Sequence, residues 1–359
     1  MSTRRAARAR AACGRMAALL TAIGAASVAR TAGAAAPTSE ASDEATARAL
    51  AHAETRLSAL AGKPEQVGPL VELLELAELL PPERLDAPVG AVMTDGATDP
   101  LVAARARDWL ASRADATGDT TAAEELRRPL GLLSRVWVVG PFGDGRASFG
   151  VGFPPETETD RPEPGRLYPG KEHDVSWRRA DGAFYRGRLH LDALLRPDSD
   201  AAAYLVAWVR SPVAVEAALR LGTAGPAKVW CNGALAFAAD RARSARFDQD
   251  AVGIELRAGW NRLLVKTVVT QGSWQVAARL TTPAGGALTF DNDWAPEQVP
   301  PHARAGAVPV RSLEAILRDD ALRAPPGQAA ADAWLDLGRY LLAVDPADRD
   351  VQAPVQAFE

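Results

Sequence analysis

The sequence predicts an α+β protein of several domains, with an N-terminal helical region, a central antiparallel β-sandwich of jelly-roll type and a C-terminal helical hairpin. Three observations carry this. Apolar residues recur at three-to-four spacing through 43–134. The texture changes at Ser134 to short β-branched and aromatic runs separated by turn residues, as far as about Phe290. Helical spacing then returns at Ser312, after a proline-rich linker over 291–311.

The first 36 residues have the form of a secretory signal peptide. Arg4, Arg5, Arg8, Arg10 and Arg15 make a basic start without an acid, Met16–Ala29 is a short apolar stretch, and Ala32-Gly33-Ala34 is an A-x-A cleavage site. An exported protein, periplasmic or extracellular, is expected. Cleavage near Ala34 removes six arginines and no acid, taking the formal charge from −4 to −10. An acidic mature chain is a poor partner for nucleic acid or anionic lipid. No apolar run after the signal is long enough to predict an integral membrane segment. Cys13 leaves with the signal and Cys231 stands alone, so no intramolecular disulfide is expected.

Within the helical region, Ala45, Ala49, Ala53, Leu57 and Leu60 share one face, and so do Val67, Leu70, Leu74, Ala77 and Leu80, before Pro81-Pro82 ends the second helix. Asp99-Pro100 reads as a cap and first-turn proline for a helix through Val102, Ala106, Trp109 and Leu110. A further helix is expected from about Thr121 to Leu133. The sandwich then starts with Val136–Phe142. Strands follow over 203–209, 215–221, 227–231, 234–237, 251–256, 262–269 and 273–281, and Asn232-Gly233 gives a strong hairpin signal. Leu313, Ile316 and Leu317, then Ala333, Trp334, Leu337, Tyr340 and Leu341, mark two closing helices within 312–359.

Three segments together resemble the galactose-binding-domain-like sandwich, an accessory domain of secreted bacterial proteins. They are Val136-Trp137-Val138-Val139-Gly140-Pro141-Phe142; Leu219-Arg220-Leu221-Gly222 with Lys228-Val229-Trp230-Cys231-Asn232-Gly233; and Leu256-Arg257-Ala258-Gly259-Trp260-Asn261-Arg262-Leu263-Leu264-Val265-Lys266. They span about 135–285. In addition, Trp334, Leu337, Gly338 and Tyr340 with Asp345-Pro346 resemble the first helix pair of a tetratricopeptide repeat. The combination resembles the non-catalytic part of exported bacterial repeat proteins that carry a transglutaminase-like domain. The resemblance implies a fold and leaves the ligand open.

Chemistry-bearing motifs are sparse. Cys231 is the one candidate nucleophile of a thiol enzyme, and it lies inside a predicted strand beside Trp230, the setting of an inert buried thiol. His52, His173, His190 and His302 are scattered, without metal-ligand spacing. Asp240, Asp248 and Asp250 flank a loop and are the residues a structural calcium would use; otherwise no metal and no cofactor is implied. Lys171-Glu172-His173-Asp174 reads as a solvated loop. Gly140–Gly145 lacks the Gly-Lys-Ser/Thr ending of a phosphate loop. Aromatic residues are the better clue, because sugar-binding sandwiches stack rings on sugar faces. Phe142, Phe149, Phe153, Tyr168 and Trp177 fall in or beside the long 140–180 connection, and Phe142, Phe149, Tyr168 and Trp177 are the candidate ligand-binding residues. Trp137, Trp208, Trp230 and Trp274 lie in strands and are assigned to the core.

The expectation is therefore an exported, non-catalytic binding or scaffolding protein whose sandwich holds a glycan or a protein partner. The alternative is the accessory fragment of a larger hydrolase or transglutaminase-like enzyme. The export reading has a direct check: N-terminal sequencing of protein recovered outside the cytoplasm is expected to start close to Ala35, and an intact Met1 on a cytoplasmic protein refutes it.

Overall fold

A computed structural model describes residues 39–158, 161–294 and 308–344. The first 36 residues, expected to be a signal peptide, most of the proline-rich linker and Asp345-Pro346 lie outside the described residues. The chain is α+β: N-terminal helices, two packed antiparallel sheets and a C-terminal helical pair.

The helices are α1 (Ser39–Ala59), α2 (Val67–Glu75), α3 (Glu83–Thr94), α4 (Pro100–Thr117) and α5 (Thr120–Arg127), and after the sandwich α8 (Leu313–Arg323) and α9 (Gln328–Val344). Two one-turn helices, α6 (Pro154–Thr157) and α7 (Leu191–Leu194), lie inside the sandwich region. The cap at Asp99 matches the sequence reading, and Ser312 adds a second cap. Asp99 accepts the Leu101 N–H at 2.9 Å ahead of Pro100, and Ser312 accepts the Ala315 N–H at 3.1 Å. The helix expected to run from Thr121 to Leu133 stops at Arg127; Pro129 lacks the N–H to continue it, and one 3₁₀ turn carries the chain to Leu130.

Leu313, Leu317, Leu337 and Tyr340 from the C-terminal pair join Leu57, Leu70, Leu73, Leu85 and Val102 in one apolar core. A buried ionic network reinforces this union. Arg56 on α1 grips Asp336 on α9 through two hydrogen bonds of 2.9 and 2.5 Å, and Arg339 on α9 stands 3.0 Å from Glu72 on α2. Asp336 and Glu72 are both buried.

The strands are β1 (Val136–Phe142), β2 (Tyr168–Pro169), β3 (Asp174–Val175), β4 (Arg178–Arg179), β5 (Phe184–Tyr185), β6 (Arg188–His190), β7 (Ala201–Ser211), β8 (Val215–Thr223), β9 (Ala227–Cys231), β10 (Ala234–Ala239), β11 (Asp250–Leu256), β12 (Gly259–Val269), β13 (Gln275–Thr281) and β14 (Asp291–Asp293). One sheet runs β10-β9-β12-β7-β1-β4, with β14 continuing the β1 side of β7; the other runs β11-β8-β13-β6-β5. Alternate residues of β7 face the partner sheet: Ala203, Leu205, Ala207 and Val209 pack with Leu219, Leu221, Ile254 and Leu280. Its other alternate residues, Ala202, Tyr204, Val206 and Trp208, face outward and are buried as well.

The second sheet carries the helices on its outer face. Arg220 and Arg279, directly paired across β8 and β13, are both buried there. Arg279 is held by Asp248 at 2.8 Å, and Arg220 donates to the Arg311 carbonyl at 3.1 Å. Arg311 in turn bonds Asp99 at 3.0 Å, tying the cap of α4 to the seam.

The β9–β10 hairpin turns at Asn232 and Gly233, with φ of 49° and 84°, the left-handed pair of a type I′ turn. The Asn232 side chain reaches the neighbouring turn. Its Nδ2 donates to Asn261 Oδ1 at 2.8 Å and its Oδ1 accepts the Arg262 N–H at 2.9 Å, while Asn261 closes the Arg257–Gly259 turn. Gly233→Val forces a β-branched residue to positive φ and is expected to cost about 1–3 kcal/mol; an unchanged urea midpoint contradicts this account of the turn.

Candidate ligand-binding site

The outward face of β7 and its neighbours carries an aromatic layer. Trp137 and Val139 come from β1, Tyr204, Val206 and Trp208 from β7, Trp230 from β9 and Leu264 from β12; Tyr168, Val175 and Trp177 close over them from the 143–180 connection. The sequence placed no individual strand in that connection. It holds β2, β3 and β4 instead, and β4 extends the sheet by pairing with β1.

At one end of the layer Phe142 and Phe153 stack with ring centroids 5.2 Å apart, and Tyr204 meets both edge-on at 5.8 and 6.3 Å. Lys266 ends beneath these rings, 0% exposed. Its ammonium donates to Glu156 Oε1 at 2.8 Å and to the Val151 carbonyl at 2.5 Å, 5.1 and 5.4 Å from the Phe153 and Tyr204 centroids. The Tyr204 hydroxyl donates to the same Glu156 oxygen at 2.6 Å. Burial lowers the Lys266 pKa from its ordinary value, and Glu156 offsets part of that fall. Burial, then the Glu156 contact, raises that of Tyr204. In the same way burial and Glu158, 2.7 Å away, push Tyr168 up to about 12. These ionic contacts pin the 151–158 strap to the sheet.

Of the four candidate ligand-binding residues, Phe142 is fully buried and Tyr168 and Trp177 are each 4% exposed. Their rings are packed within the layer, as members of one apolar cluster. Phe149 alone of the four reaches the surface in part, with the Lys228 ammonium 4.8 Å from its centroid. Phe153 is also partly exposed. Trp137, Trp208, Trp230 and Trp274 are buried, as a core assignment requires.

The opposite end of the layer holds rings that the sequence reading passed over. Trp260 and Trp294 pack on the layer and stay partly exposed. Arg179 lies over the Trp137 and Trp294 rings at 5.4 and 5.1 Å, and the Trp137 indole N–H donates to the Trp294 carbonyl at 2.6 Å. Cross-strand register sets Asp291, Arg210 and Trp260 in one row on this face. Both tryptophans sit at strand ends, Trp260 just after the Gly259 turn and Trp294 just after β14. That position was the available signal.

The other sequence candidates are committed elsewhere. Asp240 pairs with Arg146 at 2.9 Å, Asp248 with Arg279 at 2.5 Å and Asp250 with buried Arg243. The described residues contain no group of three or more side chains suited to holding a metal ion. Lys171 is tied down rather than solvated, donating to the Asp200 carbonyl at 2.7 Å, while Glu172, His173 and Asp174 are exposed. No helix among the described residues is long and apolar enough to cross a membrane.

No family model matches the sequence, and no curated protein matches it. Among solved structures, the chain is similar to a β-glucosidase from Kluyveromyces marxianus in complex with glucose, at 8% identity and a TM-score of 0.25. It is similar to the selenomethionine-labelled form of a β-glucosidase from that organism at 11% and 0.27, and to a family GH31 α-xylosidase from Xanthomonas citri at 14% and 0.20. These matches cover 44%, 43% and 44% of this chain and 18% of each of those chains. They are distant matches to a portion of glycoside hydrolase chains.

Removing Glu156 leaves the buried Lys266 ammonium without its anion. Glu156→Ala is expected to destabilise by about 3 kcal/mol, and combining Glu156→Leu with Lys266→Met to recover most of that loss. Equal urea midpoints for Glu156→Ala and the parent contradict the role of the pair.

Proposed function

We propose that the protein is an exported, non-catalytic binding or scaffolding protein whose sandwich holds a glycan or a protein partner. The observation that carries this is the exposed end of the aromatic layer, where Trp260 and Trp294 flank charged side chains. Indole faces stack on the C–H faces of sugars, and nearby guanidinium and carboxylate groups bond hydroxyls. Arg179, Arg210 and Asp291 are exposed and suited to that second task. This chemistry favours the glycan.

The non-catalytic part of the reading is supported by Cys231. Burial pushes its thiol up to about 12, and its Sγ lies 3.7 Å from the Glu255 carbonyl, so almost no thiolate exists at neutral pH. Export is supported by the basic and apolar N-terminal pattern and by the acidity of the chain beyond it.

A glycan array probed with labelled protein tests the proposal. Binding is expected, with Trp294→Ala and Trp260→Ala each weakening it about tenfold or more. Sugar binding that ignores both substitutions, or no binding at all, refutes the glycan. A protein captured through the same two tryptophans replaces the ligand class and leaves the module in place.

A further inference from the structure

The exposed end of the aromatic layer holds a guanidinium that is fixed in place without an anion. Register sets Arg179 on β4 directly across from Trp137 on β1. The Trp137 and Trp294 rings stand at 87° with centroids 6.2 Å apart, and the Arg179 guanidinium lies over both, at 5.4 and 5.1 Å. The platform is itself held. Trp137 is buried in the sheet, its indole N–H donates to the Trp294 carbonyl at 2.6 Å, and the Trp294 N–H donates to Asp293 Oδ1 at 2.7 Å. Ring faces attract the charge of a guanidinium but offer no lone pair to its N–H donors.

Those donors are unused. Arg179 is exposed, and among the described residues its side chain makes no hydrogen bond and no ion pair. The arginines around it are committed. Arg178 belongs to the other face of β4, where it donates to the Leu194 carbonyl at 3.0 Å. Arg135 reaches the Asn292 carbonyl at 3.2 Å and the Asp293 carboxylate at 3.5 Å. Arg210 stands directly across the strands from Asp291. With Arg135 balanced by Asp293 and Arg210 set opposite Asp291, Arg179 is the cation left over at this end of the layer.

We infer that Arg179 reads an anionic group on the ligand, so that the glycans taken at this end carry a carboxylate or a sulfate ester beside a sugar ring that stacks on tryptophan. The inference rests on the glycan reading of that end and adds the class of sugar. A guanidinium meets such a group through parallel N–H···O bonds, each about twice as strong as a bond between neutral partners. Holding the guanidinium on two rings before the ligand arrives removes much of the cost of ordering a long side chain. A neutral sugar offers it hydroxyls alone and leaves the charge unmatched. The acidity of the rest of the chain is a weak opponent, because at physiological salt screening acts over about 8 Å.

The test is an array of neutral, uronate-bearing and sulfated glycans, followed by calorimetric titration with the best-bound member and its uncharged counterpart, the methyl ester of a uronate or the desulfated form of a sulfate ester. Charged glycans are expected to dominate the array, and which of the two kinds does so identifies the anionic group. The uncharged counterpart is expected to bind about tenfold more weakly or worse, and the affinity of the charged form to fall as salt rises. Arg179→Gln is expected to weaken the charged form about tenfold and to leave the uncharged counterpart unchanged, a difference that a mere loosening of Trp294 does not produce. Preference for neutral glycans, equal binding of the charged and uncharged forms, or an Arg179→Gln variant that weakens both alike overturns the inference and leaves the glycan reading standing. Absence of any glycan binding removes both. The charged and uncharged pair is compared on the parent protein, so the test holds even if Arg179→Gln fails to fold.

Discussion

Strand β7 is apolar on both faces, and most of the molecule is arranged to cover it. A strand with one wet face needs a single partner layer. One whose eleven residues are buried except for Arg210 needs two. The second sheet covers the inner face, with Leu219, Leu221 and Ile254 against Leu205 and Val209. The 143–180 connection covers the outer face, and its own aromatic residues supply the apolar surface. This is why a segment without long strands is nonetheless fixed. It is the second half of a core, fastened at one end by Lys266 and Glu156 and at the other by β4 on the sheet edge.

The same logic sets the availability of the aromatic rings. Rings in the middle of the layer, such as Trp177 and Tyr168, are consumed by packing. Rings at its end, Trp260 and Trp294, have the sheet on one side and, among the described residues, nothing that fully encloses them on the other. The buried lysine beneath Phe153 and Tyr204 has the shifted pKa associated with active sites. Here its contacts are a strap carbonyl, a strap carboxylate and two rings, and the shift follows from fastening that strap.

The helical segments that precede and follow the sandwich meet as one unit. Arg56–Asp336 and Arg339–Glu72 join residues nearly the whole described chain apart, among apolar side chains that neither segment fills alone. Buried pairs of this kind add little net stability, but breaking one is expensive, which makes them suited to fixing how two segments dock. The unit then rests on the outer face of the second sheet. There the buried arginine pair Arg220 and Arg279 accepts partners from loops and from the Val308–Arg311 segment.

Local chemistry was legible in the sequence because its causes are local. Asp99-Pro100 had to open a helix, Asn232-Gly233 had to turn a hairpin, and the period-two run through Val215, Ala217, Leu219 and Leu221 had to face a core. The burial of Cys231 followed from the same alternation. Runs such as Ala201–Val209 carry no alternation, so they show that a strand is buried without showing what lies over each face. Which aromatic residues are covered depends on where a long connection folds back, and a connection's path is not written in its own periodicity. The pairing of Arg56 with Asp336 and the engagement of Asp240, Asp248 and Asp250 by arginines join groups distant in sequence or on different elements. Sequence alone determined the long helices and long strands and their order, because dihedral preference and apolar spacing act over a few residues. Tertiary structure alone decided which side chains remained open to a ligand, because exposure is a property of what packs on top.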